Sequence, residues 1–514
     1  MSKVAKATIG LMVITLISKF LGFGRDLVLS AFYGATMYSD VYLVSLDISR
    51  IVFQVIGTAI STTYIPLFFE NLKEGGDEKG NYFTNNVLNI TISIGITISI
   101  LAFIFTEPLA KIFASGFSAE ALKLTVKFTR IILFGTIFSG LSKIMQSYLQ
   151  SKGEYYISGM IGFPFNIIII ASIVLSKYFG LYVLPIGAFL ALASQFFFQI
   201  PRSKKRGYKY SFVYNPKDKY IKEMLLLTMP VMIGVGASQI NTMIDRTLAS
   251  QLAVGSISAM KYADRLNTFV LGMFISSITV VIYPMLSKMK SQKQFDKFNE
   301  YIKKSINVVT LMILPITVIA IVLAKPIVVL LFERGAFNNT AAEMTSAALA
   351  FYSIGLIGLS QKNVIANVFY SIQDTKTPMY NGVIAVVINI ILNLILVKYM
   401  GISGIALATS ISSIVCVLLL LAYLRKKVDG IDFKSMSLTF IKSLFATVAM
   451  GFAVKTAYYF GLDLIGESKF VSMIMLCISS LLGGIIYISI VKIFKVEEID
   501  YVFNAIKKKL LKNR

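Results

Sequence analysis

Long apolar segments, separated by polar or Gly/Pro-rich stretches, recur along the whole chain of 514 residues. Fourteen of these windows are each long enough to cross a bilayer, because a membrane-spanning α-helix needs about 20 mostly apolar residues. Only 15% of the residues are charged, whereas a soluble domain carries about 25%. We therefore predict an all-α polytopic membrane protein with fourteen transmembrane helices. The windows cover residues 7–31, 40–68, 85–106, 122–149, 157–176, 182–200, 224–251, 258–286, 305–331, 341–371, 379–398, 402–424, 437–460 and 469–494.

Basic residues cluster after the sixth, eighth, twelfth and fourteenth windows, and the chain carries 50 Lys and Arg against 26 Asp and Glu. In a fourteen-span arrangement these clusters all fall on one side of the membrane. Cytoplasmic loops are enriched in Lys and Arg, so we expect both termini to be cytoplasmic. Anionic lipid beside the apolar windows accounts for the charge, and nucleic-acid binding is not expected.

Composition also limits the chemistry. The chain has no histidine, and its two cysteines, Cys416 and Cys477, each lie inside an apolar window. Histidine catalysis and a structural disulfide are therefore not expected, and the protein is predicted not to be an enzyme. No GxxxxGK[ST] motif is present, so ATP is not expected to drive it directly.

Two parts of the chain resemble each other at an offset of about 220 residues. Pro66 follows Asp26 by 40 residues, and Pro284 follows Asp245 by 39. Matching windows are six apart, an even number, so the two halves share one orientation and form parallel repeats.

The repeat predicts two parallel six-helix lobes around a central cavity, followed by two extra C-terminal helices. Asn166 in the fifth window and Asn389 in the eleventh occupy matching positions. The predicted divisions are an N-terminal lobe at 1–200, a basic cytoplasmic linker at 201–223, a C-terminal lobe at 224–425, the last two spans at 426–494, and a basic amphipathic tail on the inner leaflet at 495–514.

The first, second, seventh and eighth windows carry more charge than lipid-facing helices tolerate, since each exposed ion costs a few kcal/mol or more. Adjacent residues on a helix project about 100° apart, so we expect one member of the Arg25–Asp26 pair to face away from the other. Guanidinium groups bind phosphate oxygens in bidentate fashion, which favours a hydrated cationic cavity for a phosphorylated amphiphile. Purely local ion pairing is the alternative. The charges are Lys19, Arg25, Asp26, Asp40, Asp47, Arg50, Asp245, Arg246, Lys261, Asp264 and Arg265.

Several segments carry a family resemblance over roughly residues 5–425. They resemble the MurJ/MviN lipid II flippases, which belong to the multidrug/oligosaccharidyl-lipid/polysaccharide exporter superfamily. The segments are Leu-Ile-Ser-Lys-Phe-Leu-Gly-Phe-Gly-Arg-Asp at 16–26, Phe-Tyr-Gly-Ala at 32–35, Asp40, Tyr-Ala-Asp-Arg-Leu at 262–266 and Phe-Glu-Arg-Gly-Ala-Phe at 332–337.

The resemblance implies a flippase that moves undecaprenyl-pyrophosphate-linked disaccharide-pentapeptide from the inner to the outer leaflet by alternating access around a V-shaped cavity. It implies that Arg25 and Arg265 hold the pyrophosphate, with Asp26 and Asp40 as functional acids nearby. Lys19 stands where the family often has a further arginine, so it keeps the charge without the bidentate fork.

Arg50 is a further candidate for substrate binding. The second-span arginine of the family falls at Val52 here, and Arg50 lies two residues earlier, about 200° around the helix. An interfacial or paired arginine is the alternative role for Arg50.

The resemblance also implies a site for sodium as a coupling ion, since some family members resemble sodium-coupled transporters. The family has an aspartate where this chain has Asn393, so one negative charge is missing, and coupling to protons or to membrane potential stays open. Interhelical hydrogen bonding is the alternative role for the two asparagines. The implied ligands are Asp245, Asn389, Asn393, the backbone of Ile405, and Thr409.

The expected partners are a lipid-linked pyrophosphate and membrane lipids, and the transporter is expected to be monomeric, with no cofactor beyond a coupling ion. Three other functions stay open. They are a flippase for another lipid-linked oligosaccharide (teichoic acid, capsule or sporulation precursor), a cation-coupled drug exporter, and a non-transporting scaffold. The intramembrane arginines argue against the last two.

Overall fold

The computed structural model describes the backbone of residues 3–498 and, from residue 13 onward, most of their side chains. The described residues form α-helices and a single π-helical turn, without β-strands, so the predicted all-α fold class is confirmed. The predicted tail falls, from residue 499 to the end, outside the described residues. Two compact units divide the chain, Met1–Ser258 with Arg334–Asn338 (the first unit) and Ala259–Glu333 with Asn339–Arg514 (the second unit).

The first unit consists of nine helices in its described part. Its longest element is a double-length helix that joins the second and third predicted windows. The backbone breaks at Gly76 (φ 61°, ψ −154°), in a region of dihedral space that essentially only glycine occupies. The helices are α1 (Lys3–Tyr33), α2 (Met37–Ile104), α3 (Thr106–Phe113), α4 (Ala119–Ser151), α5 (Tyr155–Met160), α6 (Gly162–Phe179), α7 (Val183–Phe197), α8 (Ile200–Lys205) and α9 (Lys219–Ser250).

The second unit begins at Ala259, within α10. A π-helical turn, Leu271–Ile275, separates α10 from α11. The helices are α10 (Ser256–Val270), α11 (Ser276–Ser291), α12 (Phe295–Val322), α13 (Ala324–Phe332), α14 (Asn339–Ile354), α15 (Leu356–Ser371), α16 (Lys376–Met400), α17 (Ile402–Lys427), α18 (Phe433–Ile465) and α19 (Lys469–Ile493).

Nine helical stretches of the described chain are long and apolar enough to cross a membrane, or ten if the bent pair α14 and α15 is one span. The predicted spans missing from this set are the first, second, seventh and eighth. Each of these four windows includes side chains outside the described ones, so their absence from this set says nothing against them. The chain is a multi-pass membrane protein, and the count of fourteen stays a prediction.

The units do not follow the predicted lobe boundaries. Helix α9, predicted to open the C-terminal lobe, lies in the first unit, where it contacts α2 and α3. The lobes were predicted from a repeat in the sequence, whereas the two units are defined by compact packing. The predicted lobes therefore stay predictions. In the second unit α18 and α19 pack on α12, and the Tyr487 hydroxyl donates to the Leu311 carbonyl over 3.1 Å.

The two units contain ion pairs at matching positions of the repeat. In the first unit Arg202 Nη2 and Arg206 Nε donate to Glu154 Oε1 over 2.7 and 2.5 Å. In the second unit the Lys427 ammonium donates to Asp374. Both acids follow the fourth helix of a repeat and both bases end the sixth, and positions 154 and 374 are 220 residues apart. The sequence repeat is therefore also a repeat of interactions.

This pairing predicts how stability depends on pH. Burial raises the pKa of Asp374, but hydrogen bonds from Lys427 and Thr377 outweigh it and lower the pKa from 3.8 to about 2. A lowered pKa means that the ionised carboxylate stabilises the fold above about pH 4 and loses this effect as the pH falls towards 2. We expect the melting temperature in detergent to be higher for wild type than for Asp374→Asn at neutral pH. The difference should shrink below about pH 4; a difference independent of pH would contradict the assignment.

Candidate functional site

Arg25 is held in α1 by three neighbours. Its Nε and Nη2 donate to Asp26 Oδ1 over 2.9 and 2.7 Å, and its Nη1 donates to Asn166 Oδ1 of α6 over 3.3 Å. The Phe165 ring lies 5.8 Å from the guanidinium carbon. The expectation that Arg25 and Asp26 face apart was wrong, because the long arginine side chain folds back around the helix to reach its neighbour.

A second buried ion pair joins α2 to α9. Arg246 Nε donates to Asp47 Oδ2 over 2.8 Å, and both side chains are almost fully buried. The adjacent Asp245 accepts a hydrogen bond from Asn241 over 3.4 Å. Asp245 and Arg246 are neighbours in sequence, and they do bind different partners. An ion pair of this burial is strongly destabilised when one partner is removed, because the other charge is left uncompensated.

Asp40 binds backbone rather than a basic side chain. Its carboxylate accepts from the Gly255 and Ser258 backbone N–H groups over 2.7 and 2.8 Å, and also from the Ser258 hydroxyl. The residue is only 4% exposed. These donors belong to the start of α10, where backbone N–H groups lack helical partners and attract an anion. Asp40 therefore attaches the start of α10 to α2.

Close backbone contacts surround this point. A Cβ atom on Gly34 would lie 2.3 Å from the Ala336 carbonyl oxygen, and one on Gly335 would lie 2.2 Å from the Ala31 carbonyl oxygen. The Ala336 N–H donates to that Ala31 oxygen over 2.8 Å. The Arg-Gly-Ala-Phe segment thus requires glycine because it touches the end of α1. A Cβ atom on Gly255 would lie 2.2 Å from the Ala35 carbonyl oxygen, and one on Gly116 would lie 2.2 Å from the Ser250 carbonyl oxygen.

The remaining predicted substrate residues are placed separately. Lys19 is half-buried on α1, and Arg50 is exposed on α2. The side chain of Val52, where the family arginine was expected, lies outside the described ones. Arg265 is half-buried on α10 within the second unit, next to the exposed Asp264.

Four of the five predicted cation ligands come together in the second unit. Asn389 Nδ2 donates to Thr409 Oγ1 over 3.3 Å, and Asn393 Nδ2 donates to Asn389 Oδ1 over 2.9 Å. The Thr409 hydroxyl donates to the Ile405 carbonyl over 3.1 Å. The fifth ligand, Asp245, belongs to the first unit.

The chemistry of this donor set fits a small hard cation, since it offers amide, hydroxyl and carbonyl oxygens. The four residues carry no formal charge. No group of three His, Cys, Asp or Glu suited to a metal occurs in the described residues. Among the five predicted ligands, Asp245 is the one that carries a formal charge.

Some partners were not predicted from sequence. Asn166 was identified only as a repeat position, yet it binds Arg25, and Ser412 joins the Asn389 network at 3.4 Å. The match between Asn166 and Asn389 was the available signal, because two buried amides at equivalent positions suggest equivalent polar contacts. Asp47 pairing with Arg246 had no such signal, since the two positions lie 199 residues apart.

Comparison with known proteins gives concordant matches. A protein-family model described as "Lipid II flippase MurJ" matches residues 29–491. The chain is 28% identical over 517 residues to a probable lipid II flippase MurJ of Buchnera aphidicola subsp. Schizaphis graminum (strain Sg), covering 98% of this chain and 100% of that protein. It is 31% identical to the probable lipid II flippase MurJ of Vibrio cholerae, covering 80% and 81% of the two chains.

Solved structures match as well. A lipid II flippase MurJ in an inward closed conformation superposes with a TM-score of 0.81 at 28% identity, covering 95% of this chain and 98% of that one. An inward-facing multidrug transporter of the MATE family superposes with a TM-score of 0.69 at 14% identity, over 83% and 99% of the chains. The second match supports the fold alone.

Gly34 allows a direct test of the contact with Ala336. Gly34→Ala adds both a strained positive φ and a clash with a carbonyl oxygen. Gly153→Ala is the matched control, because Gly153 also follows a helix with positive φ (78° against 60°) but faces open space. We expect Gly153→Ala to cost about 1 kcal/mol and Gly34→Ala clearly more, measured by unfolding in detergent. Equal costs would show that the close contact contributes nothing.

Proposed function

We propose, from the premise that this chain belongs to the lipid II flippase MurJ family, that it moves lipid II from the inner to the outer leaflet of the bacterial inner membrane. The match across residues 29–491 carries the proposal. The substrate has a pyrophosphate, a large polar headgroup and a polyprenyl tail. A transporter for it needs a cationic group in a hydrated part of the membrane domain. The protein acts as a monomeric transporter rather than as an enzyme, with both termini in the cytoplasm.

Arg25 is the residue that best fits pyrophosphate binding. A guanidinium has five N–H donors, and three of them are engaged by Asp26 and Asn166. These contacts fix the plane of the group while two N–H donors stay available for phosphate oxygens. Pre-orientation of this kind reduces the entropy lost on binding. Asp26 and Asn166 therefore serve to aim Arg25.

The proposed cationic set also includes Arg265 and Lys19, by their positions in the family pattern, and Arg50, which lies two residues before the family position at Val52. Lys19 and Arg50 supply positive charge, and Arg265 supplies a second bidentate fork. Alternating access carries the headgroup across, while the polyprenyl chain stays in lipid.

Energy for the cycle comes, in this proposal, from a cation or from the membrane potential. Moving one charge through 100 mV is worth about 2.3 kcal/mol. Sodium is the cation that the oxygens near Asn389 suit. A flippase for another lipid-linked oligosaccharide is the alternative that shares this chemistry.

Complementation of cells depleted of their lipid II flippase tests the substrate. We expect the wild-type chain to restore growth, and Arg25→Ala and Arg265→Ala to fail or to restore it poorly. Arg130→Ala is the matched control, because Arg130 is also an arginine of a membrane helix but stacks on Phe103 at 4.8 Å, away from Arg25. It should restore growth as wild type does.

Expression levels of all variants need to be compared by immunoblot. Failure of well-expressed wild type would reject lipid II as substrate in favour of another lipid-linked oligosaccharide. Full rescue by both arginine variants would reject their role in pyrophosphate binding.

Sodium coupling is tested by binding rather than transport. We expect Asn393→Asp to raise sodium affinity, because it adds the carboxylate that the family pattern has at this position, and Asp245→Asn to lower it. Isothermal titration with sodium chloride, against potassium chloride as control, measures both. If Asn393→Asp binds sodium no better than wild type, the Asn389 network is structural and the cycle runs without it.

A further inference from the structure

The segment between α8 and α9, residues 207–215 (the strap), is attached along α2 by hydrogen bonds. Asparagine side chains of α2 donate to its backbone carbonyls at intervals of four residues. Asn86 pairs in both directions with the Asn215 backbone, donating over 2.9 Å and accepting over 2.7 Å. The strap is therefore a fixed element. The donors are Asn81 to Gly207, Asn85 to Lys209 and Asn89 to Val213, each at 2.9 Å.

Tyrosines of the strap reinforce this attachment. The Tyr208 and Tyr210 hydroxyls donate to Asn85 Oδ1 and Asn89 Oδ1 over 2.8 and 3.0 Å. Phe212 follows in the same alternation, yet its side chain stands 80% exposed. An aromatic side chain projecting from a rigid backbone is suited to insertion into an apolar surface.

Phe212, at the tip of the strap, lies where the sequence of α2 changes from polar to apolar. Residues 81–89 of α2 include four asparagines, whereas residues 90–104 contain no charged or amide side chain. The strap climbs about 12 Å along α2 from Asn81 to Asn89, so Phe212 reaches this boundary. The helix face that carries Asn89 continues, at helical spacing, into Ile96 and Ile100, which are exposed. In a membrane-spanning helix such a face contacts lipid, so Phe212 stands at the height of the headgroups.

Exposed lysines lie on the strap and on both sides of it in sequence. Lys204, Lys205, Lys209 and Lys217 are exposed, and within residues 3–498 none of these four is ion-paired. Clustered lysines beside a membrane attract anionic lipid headgroups. An acidic protein would satisfy the lysines but would not explain an aromatic side chain at the polar–apolar boundary of a span.

We propose that the strap is a binding site for anionic phospholipid, with Phe212 inserted among the headgroups and the neighbouring lysines contacting their phosphates. It fixes the junction of α8 and α9 to the leaflet that these lysines face. The proposal rests on the cytoplasmic placement of this end in the proposed function, but not on the identity of the transported substrate.

The absence of tryptophan from the chain makes a clean test available. Phe212→Trp introduces a single tryptophan at an exposed position. The purified full-length variant is reconstituted in vesicles whose lipids carry bromine near the carbonyl end of the acyl chain, on either phosphatidylglycerol or phosphatidylcholine. We expect a blue-shifted emission that brominated phosphatidylglycerol quenches more strongly than brominated phosphatidylcholine does.

Two single-tryptophan controls set the limits. Phe452→Trp, exposed on the apolar helix α18, should be quenched equally by both lipids, and Glu78→Trp, exposed beside the break in α2, by neither. Replacing Lys204, Lys205 and Lys209 by glutamine in the Phe212→Trp background should reduce the preference for phosphatidylglycerol, by up to about fivefold per charge.

Each outcome decides a part of the proposal. Absence of quenching at position 212 in both lipids would overturn the site. Equal quenching by both lipids would overturn anionic selectivity, and a preference that survives the lysine replacements would overturn the role of these lysines. Because the readout is fluorescence, loss of transport by any variant leaves the conclusion unaffected.

Discussion

Charge placed among apolar helices has to be matched within the protein, and much of the first unit is arranged around this requirement. Arg246 reaches Asp47 across two helices, and Arg25 is shared by Asp26 and Asn166. Removing one member of a buried pair typically costs about 3–5 kcal/mol, because the remaining ion is left without compensation. Helices α1, α2, α6 and α9 are therefore constrained by polar contacts as much as by apolar packing.

Helix α2 performs different tasks along its length. Near its start Asp40 binds the N–H groups that open α10, and further along Asp47 binds Arg246. Beyond the glycine break, its asparagines hold the strap. The break at Gly76 separates the buried carboxylates Asp40 and Asp47 from the asparagines that hold the strap.

The membrane class could be predicted from sequence, because hydropathy and charge bias are local signals along the chain. The repeat and the candidate residues stay predictions. The pairing of Arg25 with Asp26 was predicted wrongly, since angular spacing alone ignores how far a guanidinium can bend. Contacts such as Asp47 with Arg246 could not be predicted, because they depend on tertiary packing. From sequence, the strap could be identified only as a basic linker. The role of the α2 asparagines could not be predicted, because it depends on the strap carbonyl groups that they bind.

The repeat preserves framework contacts while changing the chemistry at its equivalent positions. Glu154 and Asp374 close corresponding helices with basic partners. Asn166, however, binds an arginine, while its counterpart Asn389 binds Thr409 and Ser412. A cation in one half and neutral oxygens in the other cannot favour the same ligand, since the first attracts anions and the second can only solvate a cation. At the matching positions Asn166 and Asn389, the same amide therefore contacts an arginine in the first unit and neutral hydroxyl groups in the second.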